Sequence, residues 1–281
     1  MLLGIFTVVS VLFGLLLCAL TGSFVSLHWL WMLPVGFLGC FLLCLLGVFI
    51  FLLIACKLVD LDKPQEEDDP FYRNLAYAFI DLISSLAQMH VHTEGLEMTP
   101  KDGRFLLVCN HINDIDPAVL LKFFKKSQLA FISKQENRTK FVIGPVMHKI
   151  LCQPINREND REALKSILKC IQLLKADDVS IGAFPEGGIF EKDKLHPFRS
   201  GVFKIAQKAK VPIVVCTLKG TSDLFHNMKR LKHTHVRLHL VEVIPAEEVT
   251  AANTVALGDR IYSIMLEDLG PEYAPENTET T

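Results

Sequence analysis

The sequence predicts an α/β fold, a mostly parallel mixed sheet flanked by helices, preceded by an N-terminal transmembrane helical hairpin. Three observations carry this. Residues 1–56 hold no Lys, Arg, Asp or Glu, so all 60 charged side chains of the 281-residue chain lie in the remaining 225. That remainder is about 27% charged, the content of an ordinary globular domain. From residue 91 onward, short apolar runs alternate with helix-periodic stretches, the rhythm of strand–helix units.

A bilayer span takes about 20 apolar residues, so 56 uncharged residues are too many for one span. The break falls at Thr21-Gly22-Ser23, with Pro34 following, which predicts spans at Leu2–Leu20 and Leu30–Cys56. Trp29 and Trp31, the only tryptophans, lie at the hairpin tip, where an aromatic belt places them. A secretory signal is the competing reading of the first twenty residues. They lack a basic leader and a small-residue cleavage pattern, and a second apolar stretch follows at once. The 21–28 turn carries no Lys or Arg, whereas Lys57, Lys63 and Arg73 follow the second span. The positive-inside rule thus predicts an integral protein of the plasma or inner membrane with its large domain in the cytoplasm.

Residues 57–90 read as a polar linker, with Pro64 and Pro70, and an amphipathic helix over Phe71–Met89. That helix suits either the domain or the bilayer surface. Within 91–270 the candidate strands are Phe105–Cys109, Leu129–Ser133, Gln153–Ile155, Val179–Phe184, Ile213–Leu218 and Val236–Val243. Candidate helices are Pro117–Phe124, Thr139–Ile150, Asp160–Lys175, Gly201–Lys208 and Thr254–Leu269, with Asn159 placed to cap the third. Residues 271–281 form a polar, flexible tail.

Composition excludes several classes. A net charge of −2 argues against a nucleic-acid partner. Eight cysteines without a C-x-x-C spacing argue for free thiols in a reducing compartment. His233, His235 and His239 alternate with Val236, Leu238 and Leu240, the pattern of a half-buried strand with a polar outer face. The phase switches near Leu240, which predicts a bulge there, and no metal is expected.

In open α/β sheets the chemistry collects beyond the carboxyl ends of the strands. Two turns stand out there. Asn110-His111-Ile112-Asn113-Asp114-Ile115-Asp116-Pro117 joins a strand to a helix and brings a histidine near a carboxylate. Such a pair can deprotonate an alcohol, with the carboxylate holding the imidazole tautomer. The same spacing suits Asp116 as a plain helix cap, and Asp114 is a second candidate partner for His111. The second turn, Phe184-Pro185-Glu186-Gly187-Gly188, lets the backbone approach a ligand closely. It lacks the Lys-Ser/Thr of a nucleotide loop, and Glu186 reads equally as a ligand carboxylate or a turn residue.

Together these turns resemble the phospholipid/glycerol acyltransferase family, which includes the 1-acyl-glycerol-3-phosphate acyltransferases. Its four blocks stand in order as His111 to Asp116, Ile155-Asn156-Arg157, Phe184-Pro185-Glu186-Gly187 and Val211-Pro212-Ile213-Val214. Phe131-Ile132-Ser133-Lys134 and Phe198-Arg199-Ser200-Gly201 fit as well. The resemblance implies acyl transfer from acyl-CoA or acyl-carrier protein to the free hydroxyl of a lysophospholipid held in the membrane bilayer. It implies no cofactor beyond that thioester. His111 is then the general base and Asp116 its orienter. The catalytic set also includes Glu186 and Gly187, with backbone amides at Gly187 and Gly188 facing the oxyanion. Arg157, Lys134, Gly188 and Arg199 are expected to bind substrate. The family continues its third block with Thr-Arg where this chain has Gly188-Ile189, so the acceptor's phosphate must find another cation, with Lys192 or Lys194 as further candidates. A lipid ester hydrolase using the same His and Asp, transfer to another glycerol-phosphate acceptor, and a silent membrane adaptor are the alternatives.

Overall fold

The computed structural model describes residues 2–156, 159–190 and 193–275. It forms two compact units, Met1–Lys63 and Pro64–Thr281. The first is a helical hairpin of α1 (Leu2–Leu20) and α2 (Trp29–Lys57), both long and apolar enough to cross a bilayer. Gly22, at φ +65°, makes the turn between them. The helices cross where a Cβ on Gly36 would stand 3.3 Å from the Gly14 Cα, a close approach that only small residues permit.

The second unit follows in chain order with α3 (Pro70–Leu86), β1 (Met89–Glu94), β2 (Leu106–Cys109) and α4 (Asp116–Phe123). Then come β3 (Ala130–Lys134), α5 (Ile143–Lys149), β4 (Gln153–Ile155), α6 (Asp160–Lys175) and β5 (Ile181–Ala183). The chain continues through α7 (Phe203–Ala209), β6 (Ile213–Lys219), α8 (Leu224–Lys229), β7 (Thr234–Ile244), α9 (Ala246–Ala251) and α10 (Thr254–Leu269). The seven strands form one sheet in the order β1-β7-β6-β2-β5-β3-β4. All pairs are parallel except β6 with β7. The mixed, mostly parallel sheet is therefore as expected.

Strands β2 and β6 run through the centre. Leu106 to Cys109 and Ile213 to Cys216 are fully buried, because helices cover both faces and leave no polar side. The bulge expected on the histidine strand is present: Val215 pairs with Glu242 and Cys216 with Leu240, so Val241 has no partner. Asn159 caps α6 through the amides of Arg161 and Glu162, as expected.

Four features depart from the sequence reading, the first being that the expected flexible tail starts with an ordered 3-10 turn, Pro271–Tyr273, whose tyrosine is buried and accepts the Leu195 N–H at its carbonyl. Strand β1 starts on the last residue of the expected helix and runs on over residues where no element is expected; it pairs with β7 in register, His90 opposite His235. The Thr139–Ile150 helix begins only at Ile143, preceded by a 3-10 turn over Gln135–Thr139. Pro145 has no N–H to donate and is accommodated only in a first helical turn, which sets that start. The short helices α8 and α9 were not expected. The amphipathic helix α3 belongs to the domain: Arg73, 4% exposed, ion-pairs with Asp68 and donates to the carbonyls of Leu129 (2.9 Å) and Ile150 (3.2 Å).

Along the outer edge His90 Nε2 lies 2.9 Å from His233 Nδ1, and His92 Nε2 lies 3.2 Å from His235 Nδ1. His239 meets Asp268 at 2.7 Å. Among the described residues no three His, Cys, Asp or Glu side chains are grouped to hold a metal ion.

Candidate active site

Strand β2 stops pairing after Cys109, and Asn110 takes over the next rung with its side chain. Its Nδ2 donates to the Leu218 carbonyl (2.9 Å) and its Oδ1 accepts from the Leu218 N–H (2.7 Å). This replaces a backbone pair at the carboxyl end of the central strands and frees the chain to turn. His111 stands at that exit.

Asp116 is not the cap of α4. It is the first helical residue, and its side chain turns back to the loop that precedes it. Its Oδ2 accepts from His111 Nδ1 (3.0 Å) and from the N–H groups of Ile112 and Asn113 (both 2.8 Å). The carboxylate is fully buried, whereas Asp114 is exposed, so tertiary placement selects Asp116 as the partner. A neutral imidazole donating Nδ1–H to a carboxylate presents an Nε2 lone pair. That Nε2 has no hydrogen-bond partner among the described residues. The ring stacks on Phe184 with centroids 4.1 Å apart, and Phe184 stacks on Phe131 at 5.7 Å. Phe131 in turn covers Gly182 of β5, where a Cβ would meet its ring at 2.3 Å. Aromatic packing thus fixes the plane of the imidazole.

The second turn meets the first through Glu186, which is 2% exposed. Its Oε1 accepts the His111 N–H (2.7 Å) and its Oε2 the His196 N–H (2.9 Å). Both oxygens are thereby committed to backbone, so Glu186 braces two loops from inside. Burial raises its pKa to about 7, opposed by the two N–H donors and aided by the nearby Asp116.

Gly187 lies at φ +85° and its N–H closes the turn on the Phe184 carbonyl (3.0 Å). That amide donates within the turn, whereas the sequence reading expects it to face the oxyanion. The Gly188 N–H has no backbone acceptor among the described residues and remains the donor of this turn. Arg199 is drawn in by its own N–H to the Pro185 carbonyl (2.8 Å). Its side chain lies against Gly187, where a Cβ would stand 2.7 Å from Nε. Lys134, at the carboxyl end of β3, is exposed. Neither cation has a carboxylate partner among the described residues. Arg157 and Lys192 lie outside the described residues, while Lys194 is half-buried. Sequence reasoning missed Thr221, whose Oγ1 donates to Asp116 Oδ1 at 2.6 Å, and Asn110 as a bracket to β6. Glycine before threonine, after the last central strand, was the available signal.

Fold and site define a mostly parallel α/β domain in which a histidine held by a buried aspartate is tied through Glu186 to a glycine turn that an arginine packs against. The model of the family described as Acyltransferase matches residues 90–219. The 1-acyl-sn-glycerol-3-phosphate acyltransferase of Bacillus subtilis is 30% identical over 198 residues, 69% of this chain and 96% of that protein. A probable 1-acyl-sn-glycerol-3-phosphate acyltransferase of Mycoplasma pneumoniae is also 30% identical, over 57% of this chain and 60% of its own length. The crystal structure of a 1-acyl-sn-glycerophosphate acyltransferase from Thermotoga maritima shares the fold, with a TM-score of 0.59 at 22% identity, covering 78% of this chain and 86% of that one. The chain belongs to the acyltransferase family.

Proposed function

We propose that the protein transfers an acyl chain from a thioester, acyl-CoA or acyl-carrier protein, to the free hydroxyl of 1-acyl-glycerol-3-phosphate, giving phosphatidic acid. One observation carries the chemistry: His111 Nδ1 is committed to a fully buried Asp116 while Nε2 is open. Nε2 takes the acceptor's hydroxyl proton as the oxygen attacks the thioester carbonyl. The tetrahedral intermediate collapses, the C–S bond breaks, and the imidazolium returns the proton to the departing thiol. Asp116 stabilises the imidazolium between these steps. The free Gly188 amide is the donor suited to the oxyanion, a contribution of about 3 kcal/mol in other enzymes. Arg199 and Lys134 suit the acceptor's phosphate, Arg199 because its guanidinium lies against Gly187 in the turn that lacks the family's arginine. Arg157 belongs to the same set by its place in the second block. No cofactor enters beyond the thioester. The names of the Bacillus and Mycoplasma relatives support the acceptor.

The apolar hairpin supports residence in the membrane, where a lysophospholipid also resides, with the catalytic unit on the cytoplasmic side that Lys57, Lys63 and Arg73 indicate. Purified protein supplied with lysophosphatidate and acyl-CoA tests the reading. Wild type is expected to form phosphatidate and His111→Ala to lose it; undiminished product from that variant overturns the mechanism. Thiol release that proceeds equally without acceptor would identify a hydrolase instead.

A further inference from the structure

Asp116 presents two oxygens, and the turn that carries it satisfies one. Oδ2 holds three N–H groups, those of His111 Nδ1, Ile112 and Asn113. Oδ1 receives a single hydrogen bond, from the Thr221 hydroxyl 105 residues away. Both residues are fully buried, so no solvent competes for that oxygen. Without that donor a buried carboxylate oxygen would be left unsatisfied, and the broad torsion of a carboxylate's last bond would let the group turn to recover a partner.

The chain is built to deliver this hydroxyl. β6 is bracketed at Leu218 by both polar atoms of the Asn110 side chain. One residue beyond β6, Gly220 takes φ +87° and passes so near β7 that a Cβ would lie 2.3 Å from the His235 carbonyl oxygen. Only glycine makes that turn without strain, and Thr221 follows it directly beneath Asp116.

We propose that Thr221 is a positioning residue of the acyl transfer, its hydroxyl locking the Asp116 carboxylate so that Oδ2 stays on His111. The proposal rests on His111 acting as the base, and it predicts a defect in turnover rather than in binding. The test uses the full chain in detergent with lysophosphatidate and acyl-CoA. Thr221→Val keeps the shape and removes the donor, so kcat falls between about 10-fold and 100-fold, as for loss of a hydrogen bond to a charged group. The KM values for both substrates are expected to stay within about two-fold, because Thr221 is fully buried and its hydroxyl is spent on Asp116. Thr221→Ser retains the donor and restores most of kcat.

A double-mutant cycle separates this from a general packing defect. In an Asp116→Ala background the added Thr221→Val change costs nothing further, because its effect passes through the carboxylate. If the valine variant fails to fold, Thr221→Ala carries the same cycle. Thr221→Val turnover near that of wild type, or losses that multiply in the double variant, overturns the proposal while leaving His111 as the base. An active His111→Ala variant overturns the underlying reading instead.

Discussion

Replacing Glu186 by Gln tests whether a buried carboxylate braces the two loops of the site. Its folded pKa is raised from 4.5 to about 7, first by burial, with Asp116 adding and the His111 and His196 amides opposing. Between those values the unfolded chain releases the proton while the folded protein retains it. The unfolded state then binds fewer protons, and stability falls as pH rises. At about 1.4 kcal/mol per pH unit for one group, wild type loses roughly 3 kcal/mol between pH 4.5 and 7 on this account. Above pH 7 the loss is complete, and below pH 4.5 it is absent. Gln does not titrate, so that slope vanishes in the variant. Gln also offers one acceptor oxygen for two N–H donors, at a cost of about 1–3 kcal/mol at any pH.

The variant is therefore less stable than wild type at pH 5 and comparable to it at pH 8. For a domain of this size the gap in Tm moves by roughly 6–12 °C between the two pH values. Far-UV circular dichroism in detergent is the suitable assay, because both tryptophans lie in the hairpin and do not report on the domain. Parallel Tm curves for variant and wild type from pH 5 to 8 would refute the reasoning. So would wild-type turnover in Glu186→Gln, since the brace holds the backbone of His111 itself.

Arg199→Ala is expected to raise KM for lysophosphatidate at least about ten-fold with kcat little changed, as for a lost charged contact to phosphate. An equal rise with an acceptor lacking the phosphate would contradict that role. Gly187→Ala forces a side chain to φ +85° and pushes a Cβ to 2.7 Å from Arg199 Nε. It is expected to cost at least about 1–2 kcal/mol in stability by thermal melting and to raise the same KM. Arg73→Met leaves the nearly buried Asp68 without its cation and two carbonyls without a donor. A loss of about 3–5 kcal/mol in urea unfolding is expected, with KM unchanged in protein that remains folded.

The sequence by itself determined whatever is written in local period and local chemistry. Leu2–Leu20, Asp160–Lys175 and Thr254–Leu269 are helices over the very residues expected, because apolar spacing and the Asn159 and Asn253 caps act within a few residues. His111 and Asp116 were legible as a pair because one turn contains both. Tertiary structure decided what depends on groups far apart in the chain. Strand β1 reads Met-His-Val-His-Thr-Glu, with little apolar signal of its own, and becomes a strand because β7 supplies its ladder. Asp116 was separable from Asp114 only by burial, and Glu186 from a ligand carboxylate only by the two amides that occupy it. Arg199 and Thr221 reach the site from loops 88 and 110 residues beyond His111. Their placement follows from strand order, because a parallel sheet gathers the carboxyl ends of distant strands at one edge and periodicity along a single strand carries no record of its neighbours.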